Sequence, residues 1–257
     1  MDEFSIAIYI ITGNLPVRNS NLIPFFERHN LEYFIPAGSS YHDLFCFGAE
    51  KHSHIWNSLE YTCNQLAANI SHQMCRYLAY ENNYDWYIFL EDDAVIKDEP
   101  LFLEFIASLR DELFNFNPIA INLFPAQYAI LTKSHLPNMY KALKIGDYAV
   151  GYALNKLALR PTLNLQINDF KGVADWPRNM FKLKWYAPKI PIVVHPDVHS
   201  SKYDSYLQPK GLLLPSMKPG KVILKLKMIL FRFLFLFPYY DNSPIQSNNL
   251  RSRIIIR

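Results

Sequence analysis

A short apolar run that ends in three consecutive acidic residues constrains the fold most. Residues Trp86 to Leu90 are aromatic or aliphatic, which is typical of a buried strand, and Glu91-Asp92-Asp93 follow directly. Burying one unpaired carboxylate costs several kcal/mol, so the triplet needs a cation, hydrogen bonds or open solvent. Because ligands in α/β folds bind at the carboxyl ends of strands, we predict a ligand site here.

The spacing within the triplet suits a hard divalent cation. Mg²⁺ and Mn²⁺ prefer carboxylate oxygens. Glu91 and Asp93 are two residues apart on an extended chain, so their side chains point to the same side and can share one ion, while Asp92 faces the other side. The alternative is a solvated acidic turn, which an apolar strand directly before it makes less favourable.

The rest of the first 215 residues alternates between strand and helix patterns, which predicts one α/β domain. Apolar segments predict strands at 5–12, 31–35, 119–124, 128–131, 148–154, 182–186 and 190–194. Residues 251–257 are predicted to be a loose basic tail. Helices are predicted at 22–29, from Pro100 onward, and over a long segment ending near Asn82. Asn155 is predicted to cap a further short helix that Pro161 limits.

The long helix is predicted to bury an apolar face against the sheet. Apolar residues recur there at spacings of three or four, namely Leu59, Cys63, Leu66, Ile70, Met74 and Leu78. On this pattern His72 lies away from the centre of the buried stripe.

Composition narrows the class and the compartment. A chain of 257 residues that is 50% hydrophobic can bury one large core. Its three cysteines are odd in number and lack CxxC spacing, so they predict reduced thiols in a cytosolic compartment and no zinc site. The acids at Asp2 and Glu3 do not fit an export signal.

Charge is distributed unevenly along the chain. From Lys218 onward eight basic residues stand against one acid, a net charge of +7, whereas the whole chain carries +3 and the remainder therefore −4. Lys218, Lys221, Lys225 and Arg232 share one face of a predicted helix whose apolar stretch is too short to span a bilayer. We predict that residues 216–257 form a basic amphipathic tail on an anionic membrane; a buried helix or an oligomer contact is the alternative.

Two short stretches together resemble a known family. They are Ile70-Ser71-His72 and, after one intervening helix, Tyr87 to Ala94, which contains the Glu-Asp-Asp triplet. The family they resemble is glycosyltransferase family 25, the lipopolysaccharide-type galactosyltransferases. Further stretches are similar to segments of that family: the first strand with Arg18, and residues 148–156, 173–176 and 188–201. The resemblance covers about residues 5–201. Two features depart from the family pattern and bear on the choice of donor sugar. The family's Gly-Cys-x-x-Ser-His lead-in is here Ala68-Asn69-Ile70-Ser71-His72, and most of the glycines expected near Tyr148 are replaced.

The resemblance implies a fold and a reaction. The fold would be a single GT-A-like nucleotide-sugar-binding domain with a mixed, mostly parallel sheet. The reaction would be the inverting transfer of a hexose, galactose from UDP-galactose, onto a lipopolysaccharide, lipooligosaccharide or other surface saccharide. Mn²⁺ or Mg²⁺ would be held by Asp93 and Glu91 against the diphosphate, with Asp92 contacting the donor. The protein would work at the cytoplasmic face of a bacterial inner membrane.

The resemblance also assigns catalytic roles. An inverting enzyme needs a base for the acceptor hydroxyl, and Asp175 is the candidate, beside a Trp176 ring able to lie against a sugar. Asp147 and Asp169 are rival bases, and a surface turn is the alternative reading of Asp175. His72 would orient the acidic cluster or the donor, or else be a satisfied structural histidine.

Other residues are candidates for donor or metal contacts. Arg18 would pair with the diphosphate or the uridine, or be an ordinary loop arginine, and Tyr9 and Asn14 would line the base pocket. His195, in the His-Pro-Asp-x-His run of 195–199, offers a further metal ligand, against a proline-fixed surface loop.

Two other classes of function are alternatives to the enzyme. A non-catalytic, membrane-docked module that binds a nucleotide sugar or saccharide would keep the fold without turnover. Nucleic-acid binding fits poorly, because the body of the chain is net acidic.

Overall fold

A computed structural model of the chain describes most of its first 195 residues and two short C-terminal segments. The described residues are 4–12, 17, 19–36, 63–111, 117–125, 129–145, 149–163, 176, 178–195, 238–239 and 254–256. Within them, the helices and strands belong to one unit built on a single mixed sheet, which confirms the predicted α/β class.

The described residues form four α-helices, ten strands and two short 3-10 turns. In chain order they are β1 Ile6–Ile11, α1 Leu22–Arg28, β2 Tyr33–Phe34, α2 Cys63–Glu81, β3 Trp86–Glu91, α3 Glu99–Ser108, β4 Ile119–Asn122, β5 Ile130–Lys133, β6 Met139–Lys144, β7 Gly151–Asn155, α4 Lys156–Leu159, the 3-10 turns Arg160–Thr162 and Arg178–Lys182, β8 Lys184–Pro188, β9 Pro238–Tyr239 and β10 Ile254–Ile256.

The sheet is mixed, as predicted, but it is not mostly parallel. The strand order is β2-β1-β3-β7-β4-β8-β6-β5-β10-β9. Among the described strands, four neighbouring pairs are parallel and five are antiparallel. The correction has a physical cause: β7 enters antiparallel between β3 and β4, and β6 runs antiparallel to both β5 and β8.

These directions bring several strand ends to one edge of the sheet. Strands β1, β3, β4 and β8 all run the same way, because β1 is parallel to β3, β4 is parallel to β8, and β7 opposes both β3 and β4. Their carboxyl ends and the amino end of β7 therefore lie at a common edge, which we call the site edge.

The sheet has a hydrophobic core on each face. Alternate residues of β3 point to opposite faces, so Ile88 and Leu90 pack on the side of α1 and α3, and Tyr87 and Phe89 on the side of α2 and α4. On the first side Phe25, Phe26 and Phe102 contact one another through their rings. Around β3 both faces of the sheet are thus covered, as expected for an α/β domain.

Helix α2 forms where the long helix was predicted, but it buries a different face. Met74 and Leu78, members of the predicted buried stripe, are 38% and 46% exposed. Polar side chains are buried in their place: Asn69, Ser71, His72, Gln73 and Arg76. The expectation that His72 lies away from the centre of the buried stripe is therefore wrong. The buried side of α2 combines apolar contacts of Cys75 and Ala79 with hydrogen bonds from His72 and Arg76 to the sheet.

Several shorter predictions also meet the structure. Asn155 caps α4, since its Oδ1 accepts from Ala158 N at 2.9 Å. No strand forms over 190–194, where Val194 makes only an isolated bridge to Val95. The alternately exposed strand β6 was not predicted.

The C-terminal predictions are only partly covered. Ile254–Ile256 is a strand of the sheet, so the expectation of a loose tail at 251–257 is wrong for these residues. The amphipathic helix predicted after Lys218 lies outside the described residues. No helix in the described part combines the length and the apolar character needed to cross a bilayer.

Candidate functional site

Backbone hydrogen bonds fix the acidic triplet at the site edge. Asp92 N donates to Ile11 O at 3.0 Å, and Asn19 N donates to Asp92 O at 2.8 Å. Ala94 N donates to Glu91 O at 2.9 Å and closes a turn, while Asn19 Nδ2 donates to Ala94 O at 2.7 Å. The triplet is therefore held between the end of β3 and the segment that follows β1, and it is not a loose acidic loop.

Three side chains at this edge converge as a candidate cation site. Glu91, Asp93 and His195 each offer one ligand atom, and these atoms all lie within 4.8 Å of one another. His195 Nε2 is 3.7 Å from Asp93 Oδ2. Two carboxylates and an imidazole suit a divalent cation such as Mn²⁺, with Mg²⁺ favouring the oxygens alone. The structure thus brings together the three residues predicted as metal ligands.

A two-way backbone bridge carries His195 to the acids. Val95 N donates to Val194 O and Val194 N donates to Val95 O, both at 2.9 Å. His195 follows Val194 in the chain and Asp93 lies two residues before Val95, so the bridge places imidazole and carboxylate side by side. Asp92, by contrast, is 4% exposed and is not one of the three clustered ligands.

His72 contacts Glu91 of the cluster from the buried side of α2. Its Nε2 is 3.3 Å from Glu91 Oε1, and its Nδ1 is 3.2 Å from the Tyr152 hydroxyl. Burial lowers the pKa of His72, and the hydrogen bond to Glu91 opposes that shift only in part. At 3% exposure the ring does not face solvent, so its geometry suits orienting Glu91.

Two residues that the sequence analysis missed complete this arrangement. Arg76 is 1% exposed and donates from Nη1 to the Tyr152 hydroxyl at 2.9 Å. Burial raises the pKa of Tyr152 to about 12, although Arg76 acts in the opposite direction. The available signal was that Arg76 lies four residues after His72, on the same side of α2.

Other predicted site residues lie elsewhere. Tyr9 is a core residue at 1% exposure, and its hydroxyl accepts from Asn82 Nδ2 at 2.8 Å near the opposite end of the sheet. This position does not fit the predicted base pocket. Trp176 is also buried, packing edge-on against Tyr152 with ring centroids 5.3 Å apart, so its ring is not a sugar platform.

The remaining candidates fall outside the described residues. This concerns the predicted bases and two of the predicted donor contacts, namely Asp147, Asp169, Asp175, Asn14 and Arg18.

A buried amide on β4 is a further polar group near the site edge. Asn122 is 1% exposed, pairs with Tyr152 across the sheet, and accepts from Phe124 N at 3.0 Å through Oδ1. Among the described residues its Nδ2 has no hydrogen-bond partner. Asn122 was not singled out from the sequence, because asparagine is common where a strand ends in a turn and its presence there does not indicate a site.

Comparison with known proteins assigns no family to the chain. No family model matches it, and no curated protein matches it. A solved structure described as the crystal structure of A197 from STIV aligns with a TM-score of 0.39 at 11% identity, covering 79% of this chain and 100% of that one. A similarity of this size assigns neither a fold family nor a function.

Proposed function

We propose that the protein is a metal-dependent, inverting hexosyltransferase that uses a UDP-sugar, with UDP-galactose as the first donor to test. The observation that carries the proposal is the convergence of Glu91, Asp93 and His195 at the carboxyl end of β3. A divalent cation held there would bind the donor diphosphate and offset the charge that develops on departing UDP.

The order of the strands supports a nucleotide donor. The parallel unit β2-β1-β3, with α1 and α2 as its connecting helices, opens the domain, and nucleotides bind at the carboxyl ends of such strands. This arrangement is compatible with a GT-A-like domain, which we include in the proposal. Arg18 and Asn14, which follow β1 in the sequence, would contact the donor.

The acceptor side of the reaction follows from the inverting chemistry. A base removes the proton from the acceptor hydroxyl while the hydroxyl oxygen attacks the anomeric carbon, and UDP leaves from the opposite face of that carbon. Asp175 is the proposed base, with Asp147 and Asp169 as rivals. The acceptor would be a saccharide or glycolipid of the lipopolysaccharide type.

The decisive experiment is a donor screen with metal removal. We expect UDP release from a UDP-hexose in the presence of Mn²⁺ and a saccharide acceptor, with neither GDP- nor CMP-sugars as substrates. EDTA should abolish the release, and Asp93→Asn should lower it at least about 100-fold, because a metal supplies several kcal/mol of charge stabilisation. Glu104→Gln, which neutralises an exposed carboxylate on α3, is the matched control and should retain activity.

Two results would contradict the proposed metal-dependent transferase activity. Equal activity in EDTA and in Asp93→Asn would remove the metal from the mechanism. Thermal stabilisation by UDP with Mn²⁺, but no turnover with any donor and acceptor, would instead identify a non-catalytic nucleotide-sugar-binding module.

We also propose that residues 216–257 bind the cytoplasmic face of an anionic membrane, where a lipid-linked acceptor would be found. The support is the net charge of +7 from Lys218 onward next to an apolar stretch. Co-sedimentation with phosphatidylglycerol vesicles should exceed that with phosphatidylcholine vesicles and should weaken with salt.

A charge-reversal pair tests which part of the chain is responsible. The tail variant Lys225→Glu/Lys227→Glu/Arg232→Glu should lose vesicle binding. The body variant Lys97→Glu/Lys133→Glu/Lys189→Glu changes three exposed residues by the same charge and should retain it. Equal binding by the two variants would exclude the tail as the docking element.

A further inference from the structure

We infer that Arg76, Tyr152 and His72 form a one-way hydrogen-bond relay that sets the tautomer of His72 and holds Glu91 in position to bind the cation. None of the three is placed to touch substrate, so they are positioning residues. The inference rests on the metal site of the proposed function and adds the buried groups that prepare it.

The direction of the relay is set at Arg76. A guanidinium carries only donors, so in the 2.9 Å contact between Arg76 Nη1 and Tyr152 the hydroxyl oxygen must accept. The hydroxyl hydrogen of Tyr152 then has to go to another acceptor. Among the described residues, His72 Nδ1 at 3.2 Å is the acceptor within reach.

The second step follows at the imidazole. Because Nδ1 of His72 accepts from Tyr152, the neutral ring carries its hydrogen on Nε2. Nε2 is 3.3 Å from Glu91 Oε1, so the ring donates to the carboxylate. Every contact from Arg76 to Glu91 therefore has one donor and one acceptor in a consistent order.

Arg76 is itself fixed by its neighbours. Its Nε and Nη2 donate to Gln73 Oε1 at 3.1 and 2.6 Å, and Gln73 Nε2 donates to Leu163 O at 3.1 Å. Gln73, Arg76, His72 and Tyr152 are all buried, so their rotamers are restricted by packing as well as by hydrogen bonds. The Tyr152 and His72 rings also lie nearly parallel, at 20° with centroids 5.7 Å apart. The relay is thus rigid before any ligand binds.

The relay has a direct consequence for Glu91. A donated Nε2–H engages Oε1 and restrains rotation of the carboxylate. In the other tautomer a nitrogen lone pair would face the carboxylate, and the repulsion would turn Glu91 away. Hydrogen-bond partners behind a metal ligand are typically worth about 10- to 100-fold in metal affinity.

The tautomer is measurable without metal, by ¹⁵N NMR of the imidazole groups in the full-length, metal-free protein. We expect His72 to carry its hydrogen on Nε2. The protein has eight histidines, so the signal is assigned by its loss in His72→Gln. A spectrum with the hydrogen on Nδ1 would overturn the inference without the need for any further variant.

The effect on the cation is measured by calorimetric titration with Mn²⁺. Tyr152→Phe should give a mixture of His72 tautomers and weaken Mn²⁺ binding about 10- to 100-fold. Arg76→Met removes the group that imposes the direction while keeping Tyr152, and it should weaken binding in the same sense. Tyr87→Phe is the control, because it also removes a buried hydroxyl, one that donates to Asn82 O near the other end of β3. It should change neither the His72 tautomer nor the Mn²⁺ affinity.

The outcomes separate the relay from the metal site. If the wild type binds Mn²⁺ and Tyr152→Phe binds it equally well with the wild-type tautomer, the relay is wrong and the metal site stands. If the wild type binds no Mn²⁺, both the relay's purpose and the proposed metal site are wrong. If Tyr87→Phe weakens Mn²⁺ binding as much as Tyr152→Phe does, the effect is general destabilisation and the inference fails.

Discussion

A single side chain, Asn155, joins three backbone segments at the end of β7. Its Oδ1 accepts from Ala158 N at 2.9 Å and from Ile119 N at 3.0 Å, and its Nδ2 donates to Asn117 O at 2.6 Å. The first of these bonds was predictable, since an asparagine before a short helix is a favourable cap. The other two depend on the antiparallel pairing of β7 with β4, which local sequence does not contain.

We expect Asn155→Ala to lower the free energy of unfolding by about 3 kcal/mol. The change leaves two backbone N–H groups and one carbonyl without the partners they have in the wild type, at about 1 kcal/mol or more each. Urea unfolding followed by circular dichroism measures the loss. Asn83→Ala, which removes an exposed amide that accepts from Lys156, is the control and should cost less than about 0.5 kcal/mol. Equal urea midpoints for the two variants would contradict the role of Asn155.

The buried thiol of Cys75 predicts a loss of stability in alkali. Burial raises the pKa of Cys75 from 9.0 to about 12, with Arg76 opposing the shift. The unfolded chain therefore releases the thiol proton first, so the stabilisation is complete below pH 9.0 and is lost as the pH rises toward about 12. At about pH 10.5 the loss from this group alone is about 2 kcal/mol.

The measurement compares urea unfolding near pH 8 with unfolding at about pH 10.5. Cys75→Ala should lose about 2 kcal/mol less between the two conditions than the wild type does. The buried hydroxyl of Tyr152, whose pKa is also raised to about 12, contributes equally to both proteins. An identical loss in wild type and variant would show that the thiol does not titrate as its burial implies.

At the scale of elements, α2 shows where a periodic pattern misleads. The spacing correctly predicted a long helix ending near Asn82, and the helix ends at Glu81, but an apolar stripe does not say which face meets the sheet. His72 and Arg76 are buried because Tyr152, far along the chain, supplies a partner for both. A polar face becomes a core face only when that partner is known, which is why the relay could not be anticipated.

Close packing between β7 and the segment before His195 makes Gly151 a sensitive position. A Cβ atom at Gly151 would lie 2.8 Å from Val193 Cγ2 and 2.9 Å from Leu90 Cδ2. We expect Gly151→Ala to displace Val193, and His195 with it. The overpacking should cost about 1–3 kcal/mol in stability and weaken Mn²⁺ binding.

A compensating change provides the control for this prediction. In the double variant Gly151→Ala/Val193→Ala the closer of the two clashing methyl groups, the one on the segment before His195, is gone, so Mn²⁺ affinity should recover toward that of Val193→Ala alone. Thermal unfolding and Mn²⁺ titration of the three variants provide both readings. Wild-type Mn²⁺ affinity in Gly151→Ala would show that His195 does not depend on this contact, or is not a ligand.

At the scale of the molecule, local patterns identified the parts of the fold better than their arrangement. The apolar runs of β1 and β3 were read correctly, since nearly every residue in them is buried. The strand directions were not, because they depend on how β7 closes against its neighbours. At the candidate site, Glu91 and Asp93 are recognisable from their position after β3, whereas His195 joins them only through a bridge between distant segments.

The last strand connects the end of the chain to the sheet. Ile254, Ile255 and Ile256 pair in parallel with residues 130–132 of β5, whose other neighbour is β6. The basic C-terminus is thereby attached, through β10, to the half of the sheet that lies away from the metal ligands. Its removal should affect β5 without reaching the site edge at β3.

A chain ending at Leu250 tests this arrangement by hydrogen exchange and mass spectrometry. Amides of Ile130–Lys133 that face β10 should exchange faster, because they lose their backbone acceptors, while protection of Trp86–Glu91 stays unchanged. The full-length variant Arg251→Gln/Arg253→Gln/Arg257→Gln removes three charges but keeps the strand, so its exchange should match the wild type. Unchanged protection of β5 in the shortened chain would mean that β10 does not cover this edge in solution.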